Sequence, residues 1–449
     1  MEEKTALLES MYFYNSWWRT GAIPESLALP FERECLSRLT AYLSANRVIV
    51  IKGPRRTGKT TLVYQIIKSL LKDGIPPSNI LYLSFDEIAT RSSLDEIVAA
   101  YEKIVRKTVS EFKDVYFFLD EVHFLNNWSN SVKKYFDTKS HIKFIVSGSS
   151  ASLLKKGTES LAGRTIEEII LPLNFREYLL YHTNDKKLAA LIASAKGKIA
   201  DAADFTPYIP YKSKIGIVFN DYLTRGGFPH LLEIKDETVL RKVMREDVVE
   251  KVIYRDLVDL FGIKKPAVLE KLFLYLVDIS AGILNTSHIA SSLGLSREYT
   301  EKYIEYLKSA YLVFTLPRYA RSAESQLRAA AKVFVIDTGL SGAFAPHKDK
   351  GHLVETLVAG HLFGRKLYYW KDNYEVDFII ADDAKIIPLE VKYKDNIDTD
   401  DLNGLLSFMD KFRVKKGVIF TKDSTREIKI KGKKIVCKPV WLGLLEMRG

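Results

Sequence analysis

Residues 48 to 74 read VIVIKGPRRTGKTTLVYQIIKSLLKDG, and no other stretch restricts the fold of this chain so strongly. A β-branched apolar run ends at Gly53, a polar loop follows, and apolar residues then recur at helical spacing up to Gly74. Gly53, Pro54, Arg55, Arg56, Thr57, Gly58, Lys59 and Thr60 fit the pattern GxxxxGK[ST] between a strand and a helix, the context in which that pattern has physical meaning. Backbone N–H groups of such a loop wrap phosphates, and the helix, which continues through Thr61, turns its positive end toward them. Lys59 is expected on the β and γ phosphates of ATP, and the Thr60 hydroxyl on Mg²⁺.

A strand feeding a loop and helix needs partners. ILYLSFDE, VYFFLDE and IKFIVSGSS supply them, each separated from the last by helical or polar sequence, which predicts a mainly parallel α/β sheet covered on both faces. VYFFL ends in Asp120 and Glu121, placing two carboxylates at a strand's carboxyl end, where open α/β sheets bind ligands. Asp120 is expected to hold magnesium through water and Glu121 to polarise the water that attacks ATP; two acids merely ending a strand is the plainer alternative. His123 is read as a turn residue. Ser147 and Ser149 could touch the γ phosphate or the lytic water, or could simply form the turn. Arg164 is a candidate charge stabiliser, in cis or reaching into a neighbouring subunit, against the alternative of an ordinary surface arginine.

At 449 residues the chain calls for about two to four domains. A formal charge of +11 favours a polyanionic partner, with nucleic acid the commonest. Between Lys411 and Lys438 eleven Lys or Arg stand against Asp423 and Glu427, a basic face that could contact phosphates or merely be solvated. Two cysteines, Cys35 and Cys437, argue against a disulfide framework or a cysteine-rich zinc site. MEEKTALLESMYFYNSWW lacks the basic flank and apolar core of a signal peptide, and no apolar run approaches about 18 residues. A soluble, cytoplasmic protein without a membrane partner is therefore expected. Tyr12, Phe13, Tyr14, Trp17 and Trp18 could stack on bases or pack an N-terminal arm onto a core; packing is the expectation.

Beyond residue 171 the pattern turns helical, with RGGFPHL at 225 to 231 as a turn. Thr286 to Leu293, the Gly294 turn and a helix capped by Ser296 form a pair whose second member could lie in a DNA major groove, with Arg297, Tyr299, Lys302 and Tyr303 near its surface; a protein-docking role is the alternative. Further on, EVDFIIADDAKIIPLEVKY reads as two strands. Strand alternation puts Glu390 and Lys392 on one face, and a hairpin would set Asp377 beside Glu390. Two carboxylates meeting there suit Mg²⁺ or Mn²⁺, with Lys392 orienting water and stabilising charge at a phosphate. Alternatively, Glu390 pairs with Lys392 and Asp377 caps the strand.

GPRRTGKTTL, FFLDEVH, FIVSGSS with LAGRT and LPLNFREYL, LTRGGFP, and EVDF with PLEVKY together resemble, in this order, a family of prokaryotic AAA+ ATPases common in archaea. That family joins a P-loop ATPase core, a helical lid, a winged helix and a C-terminal domain similar to PD-(D/E)xK nucleases. The resemblance implies an aromatic extension at 1–30, a parallel-sheet core at 31–170, a lid at 171–262, a winged helix at 263–326 and a nuclease-like α/β domain at 327–449. It also adds Glu355 to Asp377 and Glu390 as a metal-site acid, and implies that the chain could form a homo-oligomer. The function it implies is ATP hydrolysis coupled to DNA binding or metal-dependent cleavage. The alternative is an ATP-switched DNA- or protein-binding regulator whose nuclease-like domain no longer cuts. The extension MYFYNSWWRTGAIPESLALP and residues 185 to 215 depart from the pattern and carry no assignment.

Overall fold

The computed structural model describes residues 2–86, 92–138, 141–149, 158–195, 197, 199–202, 204–382 and 385–447, and it divides into two compact units. The first comprises Met1–Leu171 and Glu250–Lys264. Its strands β1 (Val48–Gly53), β2 (Ile80–Ser84), β3 (Val115–Asp120), β4 (Ile142–Ser149) and β5 (Thr165–Ile169) run parallel in the order β2-β3-β4-β1-β5. Burial on both faces follows from the near-continuous apolar runs. Val48, Val50, Leu81, Leu83 and Phe117 enter one apolar cluster, while their neighbours Ile49, Ile51, Ile80, Tyr82 and Phe118 enter the other. With β4 between β1 and β3, the carboxyl ends of all three strands share one rim of the sheet.

The N-terminal extension seals the β2 edge of this sheet. A free edge strand presents unpaired backbone groups that invite other chains. Here the Asn15 side chain acts as a strand would: its Nδ2 donates to the Tyr82 carbonyl at 2.9 Å, and its Oδ1 accepts from the Tyr82 N–H at 2.7 Å. The indole N–H groups of Trp17 and Trp18 both donate to the Ile80 carbonyl, at 3.2 and 2.8 Å. Trp17 is wholly buried, and only Tyr12 and Phe13 of the aromatic cluster stay exposed.

The second unit, Pro172–Val249 with Lys265–Gly449, contains two sheets. Strands β6 (Gly282–Ile283), β7 (Val313–Leu316) and β8 (Lys332–Val335) form a small antiparallel sheet in the order β6-β8-β7, beside the helices Pro266–Asp278, Thr286–Leu293 and Arg297–Ser309. The larger sheet holds β9 (Leu367–Lys371), β10 (Glu375–Asp382), β11 (Lys385–Lys392), β12 (Lys416–Thr421), β13 (Arg426–Ile430) and β14 (Lys433–Pro439) in the order β13-β14-β12-β11-β10-β9. Its centre, β11-β12-β14, is parallel, and both margins are antiparallel. Helix Asn403–Phe412 covers one face through Leu405, Phe408 and Met409.

These units redraw the expected boundaries. A cut at 326/327 would sever β8 from the small sheet, because KVFV pairs with β6 and β7 rather than with the strands that follow it. Residues 250–264, expected in a lid, belong to the first unit. The RGGFP turn is held by a buried carboxylate: Asp337 accepts from the N–H groups of Gly227, at 2.9 Å, and Gly339, at 2.8 Å. Gly226 has φ +75°, and a Cβ there would lie 1.8 Å from Asp337 Oδ1, so this turn admits only glycine. Among the described residues no helix is long and apolar enough to cross a membrane.

Candidate functional site

β1 delivers the loop. Gly53 lies so close to the Ile170 carbonyl that a Cβ would sit 2.1 Å from it, and Gly58, at φ +87°, turns the chain into the helix Lys59–Lys72. Between them Arg56 takes a left-handed φ of +64° and stays exposed. The Thr57 hydroxyl, buried, donates to the Pro54 carbonyl at 3.1 Å. The Lys59 ammonium donates to the carbonyls of Gly53 and Pro54 at 3.2 and 2.8 Å. Burial lowers its pKa, an effect that Glu121 and Asp120 oppose. Thr61 lies in the first turn of the helix, half-buried.

Asp120, at the end of β3, gathers the polar groups of the rim. Its Oδ2 accepts from the Thr60 hydroxyl at 2.7 Å and from the Tyr82 phenol at 3.1 Å. Its Oδ1 accepts from the Ser147 hydroxyl and from the Glu121 N–H. The Ser149 side chain lies outside the described residues. A hydroxyl and a carboxylate meeting beside a phosphate-binding loop are the oxygen donors that a hard cation such as Mg²⁺ takes, so Thr60 and Asp120 fit the metal that ATP carries. Glu121 follows in a left-handed conformation, φ +50°. Its carboxyl is pushed up to about 7, chiefly by burial and further by Asp120, while Lys59 pulls the other way. That range suits a base that must take a proton at neutral pH.

Sequence reasoning missed three neighbours. His123 stands in the 3₁₀ turn Val122–Phe124, as read, and is also buried with Nδ1 3.4 Å from Glu121 Oε2, so it adjoins the site. Tyr82 reaches Asp120 from β2. Asp256, in the π-helical segment Met244–Leu257, holds the loop residue Arg55 in a two-pronged pair at 2.5 and 2.7 Å. Nothing local in a segment two hundred residues downstream marks it as a partner of the loop.

Arg164 is a correction for its own chain. Its carbonyl accepts from the N–H of Val48, the first residue of β1, which puts it at the amino end of the strand that delivers the loop at its other end. Its guanidinium is paired with Asp137 at 2.7 Å, so it does not reach its own phosphate site.

In the second unit the hairpin forms as expected. Phe378 pairs with Leu389, which sets Asp377 opposite Glu390, and β10 shifts register against β9 between Val376 and Ile379, a bulge that re-aims Asp377. The Asp377 N–H donates to Glu390 Oε2 at 3.3 Å, and Asp377 Oδ2 accepts from the Val391 N–H at 2.8 Å. Lys392 donates to Glu390 Oε1 at 2.6 Å. Glu355 and Asp377 turn instead to a residue not foreseen: Lys332 of β8 lies 2.8 Å from Glu355 Oε1, 2.5 Å from Glu375 Oε1 and 3.7 Å from Asp377 Oδ1. Burial and the crowding of acids push both Glu355 and Glu390 up to about 8. The expected metal set of Glu355, Asp377 and Glu390 thus does not converge on a common centre; each member faces a lysine or a backbone N–H. Among the described residues no three His, Cys, Asp or Glu are grouped to hold a metal ion, so this donor set does not fit Mg²⁺ or Mn²⁺.

Part of the basic run is paired in place. Lys411 pairs with Asp372, Lys416 with Asp201, Lys433 with Asp410 and Lys434 with Glu427, while Lys438 is buried against Glu446. On helix Arg297–Ser309, Tyr299 and Lys302 are exposed and Arg297 pairs with Glu301 at 2.8 Å, but Tyr303, expected at the surface, is packed in the core. A cleft of about 590 Å³ next to Lys392 carries Lys350, Lys392, Lys394 and Lys422 on its wall against a single carboxylate, Asp349.

Residues 45–179 match an AAA domain, residues 217–350 a domain of unknown function (DUF8612) and residues 350–441 another (DUF4143). The uncharacterized protein MJ1544 of Methanocaldococcus jannaschii is 30% identical over 368 residues, covering 79% of this chain and 76% of its own length. An uncharacterized protein of Haemophilus influenzae is 25% identical over 436 residues, covering 93% and 99%. Among solved structures, C. elegans PCH-2 overlaps 51% of this chain and 66% of its own at 13% identity and TM-score 0.31. Hsp104 in its closed state with ATPγS and FITC casein overlaps 63% and 53% at 15% identity and TM-score 0.30. The chain spans less than two thirds of either structure.

Proposed function

This chain belongs to the archaeal and bacterial AAA-domain family that includes MJ1544, and on that premise we propose that it hydrolyses ATP and uses the cycle to control its hold on nucleic acid. One observation carries the reading: Lys59, Thr60, Asp120 and Ser147 meet at one sheet rim beside Glu121, a buried carboxyl pushed up to about 7. The loop and Lys59 bind and orient the phosphates, Thr60 and Asp120 would hold a magnesium ion that would offset their charge, and Glu121 takes the proton of the attacking water. Nucleic acid as the partner is supported by the charge of +11 and by the lysine-walled cleft of the second unit, since phosphate contacts supply most sequence-independent affinity.

Between binding and cleavage at the C-terminal sheet, the pairing of Lys332 with Glu355 and Asp377 favours binding. The test is ATP turnover by the wild type and by Glu121→Gln, each with and without single- and double-stranded DNA. Wild-type turnover that changes on adding DNA, with none in the variant, supports the proposal. Wild-type turnover indifferent to every nucleic acid tried would remove the partner from it.

A further inference from the structure

Lys332 occupies a place no motif assigns to it. It opens β8, the central strand of the small sheet, and the residues after it, Val333, Phe334 and Val335, are fully buried. Its own side chain is 3% exposed, and its ammonium faces Glu355, Glu375 and Asp377. A buried ammonium is tolerated only where anions compensate it, and a crowd of buried carboxylates only where a cation does. The acids accordingly surround Lys332 as its counter-ions. On the far side of Asp377, Lys392 is bonded to Glu390 and stands in the wall of the lysine-lined cleft. A divalent ion entering among Glu355, Asp377 and Glu390 would compete for the oxygens Lys332 already holds. It would also stand within a few ångströms of an ammonium anchored on a buried strand, where like charges repel strongly.

We propose that Lys332 is the resident cation of this carboxylate cluster, so that the cleft beside it takes a nucleic-acid phosphodiester strand without any divalent metal. The metal-free strand binding rests on the nucleic-acid reading above; the claim about Lys332 stands independently of it. Lys332 balances the acids from within, and the lysines at 350, 392, 394 and 422 face the phosphates.

The experiment uses the full-length protein without nucleotide. Mn²⁺ uptake is followed by the electron paramagnetic resonance of the free ion in wild type, Asp377→Asn, Lys332→Met and the Lys332→Met/Asp377→Asn pair. Wild type and Asp377→Asn should take up Mn²⁺ equally. Lys332→Met should gain a site at least about tenfold tighter, since removing the internal cation raises the ligand charge a metal meets, and the added Asp377→Asn should abolish it. In parallel, anisotropy of a fluorescent single strand should show wild-type binding unchanged between EDTA and Mg²⁺. Wild-type Mn²⁺ uptake that Asp377→Asn removes, a folded Lys332→Met without a new site, or strand binding abolished by EDTA would each overturn the proposal. If Lys332→Met does not fold, the comparison of wild type with Asp377→Asn decides alone. If wild type binds no strand in either buffer, the nucleic-acid reading falls with the strand claim, and the Mn²⁺ comparison still decides on Lys332.

Discussion

Glu121 shows how a single carboxyl acquires a task from its surroundings. Burial raises its pKa to about 7, and the left-handed backbone turns it away from the line of β3. If it is the base, only its ionised form accepts a proton, so kcat should climb as pH rises through about 7 and then level off. Glu121→Gln should flatten that profile and lower kcat by about 10²–10⁴, while ATP binding, read by a fluorescent analogue, persists. Lys59→Ala should do the opposite and weaken binding, because it removes the point charge at the terminal phosphates. A Glu121→Gln variant with wild-type turnover would assign the base elsewhere, with His123 the nearest candidate.

Two elements carry stability that the motifs do not announce. The arm ending in Asn15, Trp17 and Trp18 takes the place of a sixth strand on β2. Asn15→Ala should therefore cost about 1–3 kcal/mol, the penalty for leaving a buried backbone pair unsatisfied, and it should raise aggregation by baring the edge; urea denaturation and light scattering read the two effects. The RGGFP turn depends on Asp337, whose carboxyl burial pushes up to about 6 despite two accepted N–H bonds. Its folded pKa lies above its unfolded value of about 3.9, so the folded state binds the proton more tightly. The resulting stability is fully present below the unfolded value and is lost as pH rises through about 6. The unfolding free energy read from urea titrations should fall between pH 5 and 8 by about 1–1.5 kcal/mol from Asp337 alone. A flat profile over that interval would show Asp337 to be ionised throughout.

For the molecule as a whole, the relevant quantity is where its positive charge remains available. The run from Lys411 to Lys438 looks like the polyanion face in sequence, yet Lys433 and Lys434 are engaged by Asp410 and Glu427. Lys394 and Lys422 of the cleft have partners too, Asp401 and Asp395, and exposed pairs on either surface hold little energy; the cleft differs in gathering Lys350, Lys392, Lys394 and Lys422 around one concave wall. Replacing Lys350, Lys394 and Lys422 by Gln should lower DNA affinity and reduce the slope of log K against log salt by about 2–3, one unit for each phosphate no longer neutralised. Replacing Lys431, Lys433 and Lys434 should change the slope by less than about one. The reverse ranking would return the DNA to the basic strands.

The sequence alone determined whatever depends on local order. The phosphate loop between strand and helix, the parallel core and the paired acids ending VYFFLDE all follow from a few consecutive side chains and their periodicity. So does the hairpin that sets Asp377 against Glu390, because strand alternation is a property of the backbone. Only the tertiary structure decided which distant groups neutralise those sites. Asp256 reached Arg55, Asp337 reached the glycine turn, Arg164 fell at the far end of β1, and Lys332 came to the carboxylates on a strand that had read as part of the next domain. A charge's partner is set by long-range strand pairing and burial, which leave no periodic trace along the chain; for that reason the motifs were visible while the metal set they suggested was not.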